Sequence, residues 1–129
     1  MTNLCLKKLN ICFYRTNNGS EPVRNWLRKL EREEKKVIGE DIKTIQFGWP
    51  LGMPLVRGLG DGLWEVRSNL HNGKIARVIF FIESATLILV HGFIKKTQKI
   101  PLKDLALAKI RKKSFDYSRD TELEDIYEK

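Results

Sequence analysis

The sequence holds only two cysteines, Cys5 and Cys12, and no Cys-x-x-Cys pair. Two such residues make neither a disulfide framework nor a zinc site, so both are expected as reduced thiols near a first strand. Long apolar runs are also missing. The longest, Val78–Ile82 and Leu87–Val90, fall far short of the roughly 20 residues that a bilayer span requires. Met1–Leu6 shows no basic stretch followed by an apolar one of signal-peptide length. The expectation is a cytoplasmic protein with no membrane partner. There is no Gly-x-x-x-x-Gly-Lys phosphate loop and no Gly-x-Gly-x-x-Gly turn. The stretch Gly58-Leu59-Gly60-Asp61-Gly62 is glycine-rich but lies between short strands, not before a helix. No His-x-x-x-His and no carboxylate cluster suggests a metal site. The two histidines, His71 and His91, are far apart, and a Ser-His-Asp arrangement has no local support. The expected chemistry uses no metal and no cofactor.

What is present describes one domain. The chain has 129 residues, 42% apolar and 31% charged, which is ordinary for a globular protein. Its net charge of +8 is unevenly spread. Residues 1–113 carry 22 Lys/Arg against 10 Asp/Glu, and residues 114–129 carry 2 against 6. The body is therefore +12 and the tail −4. A small domain so basic attracts a polyanion, with nucleic acid first and an acidic protein second. The tail from Ser114 has weak periodicity and is expected to be a mobile extension of a single domain spanning 1–113.

Patterning gives the order of elements. Lys8–Tyr14 is rich in strand formers. Asn17-Asn18-Gly19 signals a turn, Ser20 reads as an N-cap, and Glu21 and Pro22 suit a first helical turn. Val23, Trp26, Leu27 and Leu30 then mark one face of a helix. Glu31–Lys36 is a charged junction, after which Val37, Ile38, Ile42 and Ile45 resume the helical spacing. Two helices in a hairpin or one long bent helix fit equally, ending at Gly48-Trp49-Pro50. Strands are expected at Leu55–Leu59, Leu63–Ser68, Lys74–Ile82 and Thr86–Ile94, with Asn72-Gly73 as a hairpin turn. Leu102–Lys113 reads as a last helix with Leu102, Leu105, Ala106 and Ile110 as its apolar stripe. The fold class is α+β with a mostly antiparallel sheet.

Basic residues on the strands are the chemical feature. Arg57, Arg67 and Arg77 lie on three successive strands, with Lys95 and Lys96 at the end of the fourth. Glu65 shares a face with Arg67. Arg77 interrupts an apolar strand between Ile75 and Ile79, and a charge there costs free energy unless paired or solvated. It either pairs with Glu65 across strands or joins a cationic surface that meets phosphate. His91 is placed on a face with Leu87, Leu89 and Phe93, as a hydrogen-bonded core residue or a base. His71 belongs to the hairpin loop and is expected at the surface. Lys99, Lys103, Lys109, Arg111, Lys112 and Lys113 make the end of the domain basic, as a solvated face or a binding one.

Three segments, Leu59-Gly60-Asp61-Gly62-Leu63-Trp64-Glu65-Val66-Arg67, Ala76-Arg77-Val78-Ile79-Phe80-Phe81 and His91-Gly92-Phe93-Ile94-Lys95-Lys96-Thr97-Gln98-Lys99-Ile100-Pro101, resemble in order and spacing the RelE/ParE toxin superfamily. The HigB-like, phage-derived branch is the best likeness, over about residues 8–113. The resemblance implies a RelE-like fold: an N-terminal strand, a helical hairpin, a twisted antiparallel sheet and a C-terminal helix. It implies the toxin half of a type II toxin–antitoxin pair, a metal-independent endoribonuclease that cleaves messenger RNA on the translating ribosome. A cognate antitoxin with a helix-turn-helix domain is the implied protein partner.

Such cleavage uses the RNA's own 2′-OH against the adjacent phosphate, so the protein must orient the chain, stabilise charge and move two protons. Matching the motifs residue by residue makes Arg67 the phosphate stabiliser and Lys95 and Lys96 phosphate contacts or the general acid. Arg57, Arg77, Lys99 and Lys103 hold the RNA, and Glu65, His91 and His71 are the candidate bases. The superfamily's C-terminal tyrosine has no counterpart inside the match, since Tyr117 and Tyr127 lie in the acidic tail. Two other functions fit the same fold: a toxin acting on a protein such as DNA gyrase, and a basic binding module without activity.

Overall fold

A computed structural model describes residues 8–95 and 99–116. In chain order these form β1 (Asn10–Phe13), α1 (Pro22–Arg28), α2 (Arg32–Gly48), β2 (Val56–Gly60), β3 (Leu63–Asn69), β4 (Ile75–Glu83), β5 (Thr86–Lys95) and α3 (Leu102–Ser114). The five strands make one sheet in the order β1-β5-β4-β3-β2. β1 runs parallel to β5, and every other pair is antiparallel. The architecture is α+β, as patterning predicts, and is compatible with a RelE-like fold.

The helical region is a hairpin of two helices. α1 begins one residue later than the Ser20 cap implies: Glu21 is the N-cap and Pro22 follows at the first helical position. Proline fixes its own φ and holds the residue before it extended, which sets that boundary. The charged junction is already helix. Glu31 caps α2, and Glu34 returns the bond by accepting the Glu31 backbone N–H at 3.2 Å. This reciprocal cap lets α2 start directly after α1. A further tie fixes α2 to the start of β4, since Lys74 Nζ donates to Glu34 Oε2 at 2.8 Å. The hydrogen bond from Lys74 is the first cause holding the Glu34 carboxyl below its ordinary value, and the same bond raises Lys74.

The sheet is covered on both faces. One face packs Val66, Val78, Phe80, Leu87 and Leu89 against Val23, Ile38, Ile42 and Ile45 of the hairpin. The other packs Leu63, Ile79, Phe81, Ile88 and Val90 against Ala108 of α3. Double coverage explains why β4 and the first half of β5 are apolar without alternation. Gly92 serves the first face. A Cβ built there would lie 2.5 Å from the Trp26 ring, so only glycine lets that ring sit against β5.

One irregularity reorders β5. Ile79 pairs with His91 and Phe80 with Leu89, leaving Val90 as an extra residue in a bulge. The extra residue flips all that follows. Leu87 and Leu89 join the hairpin core, while His91 and Phe93 fall on the α3 face, not with the two leucines as strict alternation predicts. The bulge also decides which side of α3 faces in. Arg111 Nη1 donates to the Val90 carbonyl at 2.7 Å, and His91 Nε2 lies 2.7 Å from Asp104 Oδ1. Burial lowers the Arg111 pKa, and the Tyr14 ring beside it opposes that shift. Asp104 and Ala108 are therefore the buried residues of α3. Of the expected stripe only Leu105 packs against the core; Leu102 is 83% exposed, Ile110 is 64% exposed, and Ala106 is exposed too. Polar groups buried by the bulge need partners, and that requirement outweighs the helix's small apolar content. At its end, Ser114 Oγ hydrogen-bonds Tyr14 Oη at 2.9 Å and Phe115 meets Phe81 edge-on.

Candidate functional site

Strand register brings the arginines together. Arg57 on β2 stands opposite Glu65 on β3, and Arg67 on β3 stands opposite Arg77 on β4. Arg77 in turn stands opposite Phe93, and Ile75 opposite Lys95, on β5. All of these share the face that α3 covers at its other end. Glu65 lies at the centre. Both of its oxygens accept from Arg77 Nη1, at 3.1 and 3.2 Å, and Arg57 Nη1 lies 3.8 Å away. Glu65 and Arg77 are fully buried, whereas the Arg57 side chain is 40% exposed. Of the two readings for Arg77, the cross-strand pair with Glu65 is the one observed. Arg67 and Lys95 are half-buried at the rim of this cluster.

Arg67 also lines a second feature. The backbone N–H of Arg67 bonds the Leu55 carbonyl, just before β2 begins. There a cleft of about 360 Å³ opens between α2 and β3, lined by Val37, Asp41, Pro54, Leu55, Arg67 and Asn69. A smaller hollow of about 150 Å³ includes Glu33, Glu34, Val37, Asn69 and His71 in its lining. The two hollows share Val37 and Asn69 and so adjoin along the seam between α2 and β3. Asp41 was not singled out from the sequence. It lies within the apolar arc of α2, four residues after Val37 and four before Ile45, and an acid at that position is the signal that marks it.

The remaining candidates lie apart. His91 is half-buried and engaged with Asp104, one bulge away from the arginines. Lys99 and Lys103 are exposed near the start of α3. Lys96, Tyr117 and Tyr127 lie outside the described residues. Among the described residues, no group of three or more His, Cys, Asp or Glu side chains is placed to hold a metal ion. Nor is any described helix long and apolar enough to cross a membrane.

The arrangement combines a rim of cations over a buried carboxylate with a cleft that carries Arg67 and Asp41 and an adjoining hollow that carries His71. It can bind a phosphate chain and seat a neighbouring group. A family model described as phage derived protein Gp49-like (DUF891) matches residues 25–113, about two thirds of the chain. No curated protein matches.

Proposed function

The chain belongs to the Gp49-like family of phage-derived proteins, a family of RelE-like toxin-type proteins, and from that premise we propose that it is a HigB-like messenger RNA endoribonuclease. It acts on the translating ribosome, without a metal, by attack of the RNA's 2′-OH on the adjacent phosphate. The observation that carries this reading is the gathering of Arg57, Arg67 and Lys95 around one sheet face by strand register. Such a rim suits a backbone carrying one negative charge per nucleotide.

In this mechanism Arg67 donates to the phosphate oxygens as the 2′-oxygen adds. One well-placed donor contributes about 3–4 kcal/mol to such a transition state. Arg57 holds the chain on the exposed side, and Lys95, at the strand end, contacts phosphate or protonates the leaving 5′-oxygen. Glu65 is a positioning residue: its buried carboxylate binds Arg77 and draws Arg57 toward the site. Of the two histidines, His71 lines the hollow that adjoins Arg67's cleft and takes the 2′-OH proton, while His91 holds α3 to the sheet.

A neutralising antitoxin with a helix-turn-helix domain belongs to the same proposal. The outward Leu102 and Ile110, flanked by exposed Lys103, Lys109 and Lys113, favour an acidic amphipathic protein partner.

The chemistry is tested by the ends it leaves. Transesterification through the 2′-OH gives a 2′,3′-cyclic phosphate and a 5′-hydroxyl. Messages translated in an extract with the purified protein should carry such ends, and the same RNA without ribosomes should stay intact. New 5′-phosphate ends would contradict the mechanism, and equal cutting of free RNA would contradict ribosome dependence.

A further inference from the structure

The ribonuclease reading assigns a phosphate to Arg67 but leaves the cleft beside it unused. Three of its residues, Val37, Pro54 and Leu55, are apolar. Two others, Asp41 and Asn69, offer hydrogen bonds, and Arg67 joins them at the β3 side. Apolar walls with a few convergent polar groups suit a flat, mostly neutral ligand held by its edge. Unstacked RNA bases are recognised in this way, on their Watson–Crick edges.

Resting on that reading, we propose that the cleft seats the nucleobase next to the cleaved phosphate and that Asp41 makes guanine the preferred base. The argument is one of donor count. A carboxylate only accepts hydrogen bonds, through two oxygens side by side. Guanine presents two adjacent donors on its Watson–Crick edge, N1–H and the N2 amino group, and so pairs with both. Adenine and cytosine each turn one ring-nitrogen acceptor toward the carboxylate. Uracil offers one donor between two acceptors. All three leave an oxygen facing an oxygen or nitrogen lone pair. Asn69, with both a donor and an acceptor, can meet the remaining edge. Bidentate pairs of this kind discriminate between bases by roughly tenfold or more.

The test maps message 5′ ends after induction of wild type, Asp41→Asn and Asn69→Ala, each checked for native circular dichroism. Wild-type cuts should show guanine at one fixed offset, and Asp41→Asn should lower that preference about tenfold. Because Asp41 is half-buried and its substitution perturbs packing, a second arm leaves the protein unchanged. A synthetic message carrying inosine at that offset lacks only the N2 amino group, and cutting there should fall about tenfold. Cuts without a fixed guanine, or a guanine preference unaltered by both Asp41→Asn and inosine, would overturn the pocket while leaving the ribonuclease reading intact. A folded wild type that makes no cuts would overturn both.

Discussion

Breaking the pair at the centre of the arginine cluster should destabilise the domain severely. Glu65 and Arg77 are both fully buried, at 3.1 and 3.2 Å. Removing one partner of such a pair leaves a charge with reduced compensation in a low-dielectric site, which costs about 3–5 kcal/mol. A domain of this size has about 5–15 kcal/mol in total. Glu65→Ala should therefore remove roughly a fifth of the stability or more. Arg77→Met should cost less, because Arg57, only 3.8 Å from the carboxylate and partly exposed, can move in to compensate Glu65. The double variant Glu65→Leu/Arg77→Met should be more stable than Glu65→Ala, since no charge is then stranded. Urea titrations followed by tryptophan fluorescence would give all three values and the coupling between the sites. Single losses below about 1 kcal/mol that simply add would refute the reasoning.

Three other outcomes are expected. The Glu34–Lys74 tie stabilises only while both groups are charged. Glu34 is lowered and Lys74 raised, so its contribution should be present above the ordinary Glu range and below the ordinary Lys range. It should fade as pH falls through the folded Glu34 value or rises through the folded Lys74 value; Lys74→Met should flatten the acid side of a stability–pH curve, and an unchanged acid side would contradict this. Gly92→Ala should cost about 1–3 kcal/mol by forcing Trp26 off β5, read as a lower midpoint in urea. Ala85→Gly in the β4–β5 turn should raise the melting temperature by a few degrees, because Ala85 sits at φ +57, where a side chain costs about 1 kcal/mol.

Much of this fold was readable in the sequence, because strong local signals agreed with each other. Asn72-Gly73 marks a real turn, with positive φ at both residues, and each expected strand is found within two residues at either end. The shared face of Glu65 and Arg67 followed from the two-residue period of strands, whereas Arg57 joins it only through the β2–β3 register. What was not readable depended on single tertiary events. A bulge has no sequence signature, and the one at Val90 moved His91 to the opposite face. The same bulge turned α3, so that Asp104 and Arg111 face in where Leu102 and Ile110 were expected. The cleft of Asp41, Arg67 and Asn69 joins a helix to a strand some 30 residues away in sequence, and no local pattern predicts that approach.

The most direct test of the central claim compares wild type with Arg67→Ala in cells lacking an antitoxin. Growth is followed and message 5′ ends are mapped after induction, with folding of both proteins checked by circular dichroism. The account predicts arrest and new cut sites with wild type, and neither with a folded Arg67→Ala protein. Full toxicity of folded Arg67→Ala, or arrest by wild type with every message intact, would contradict it.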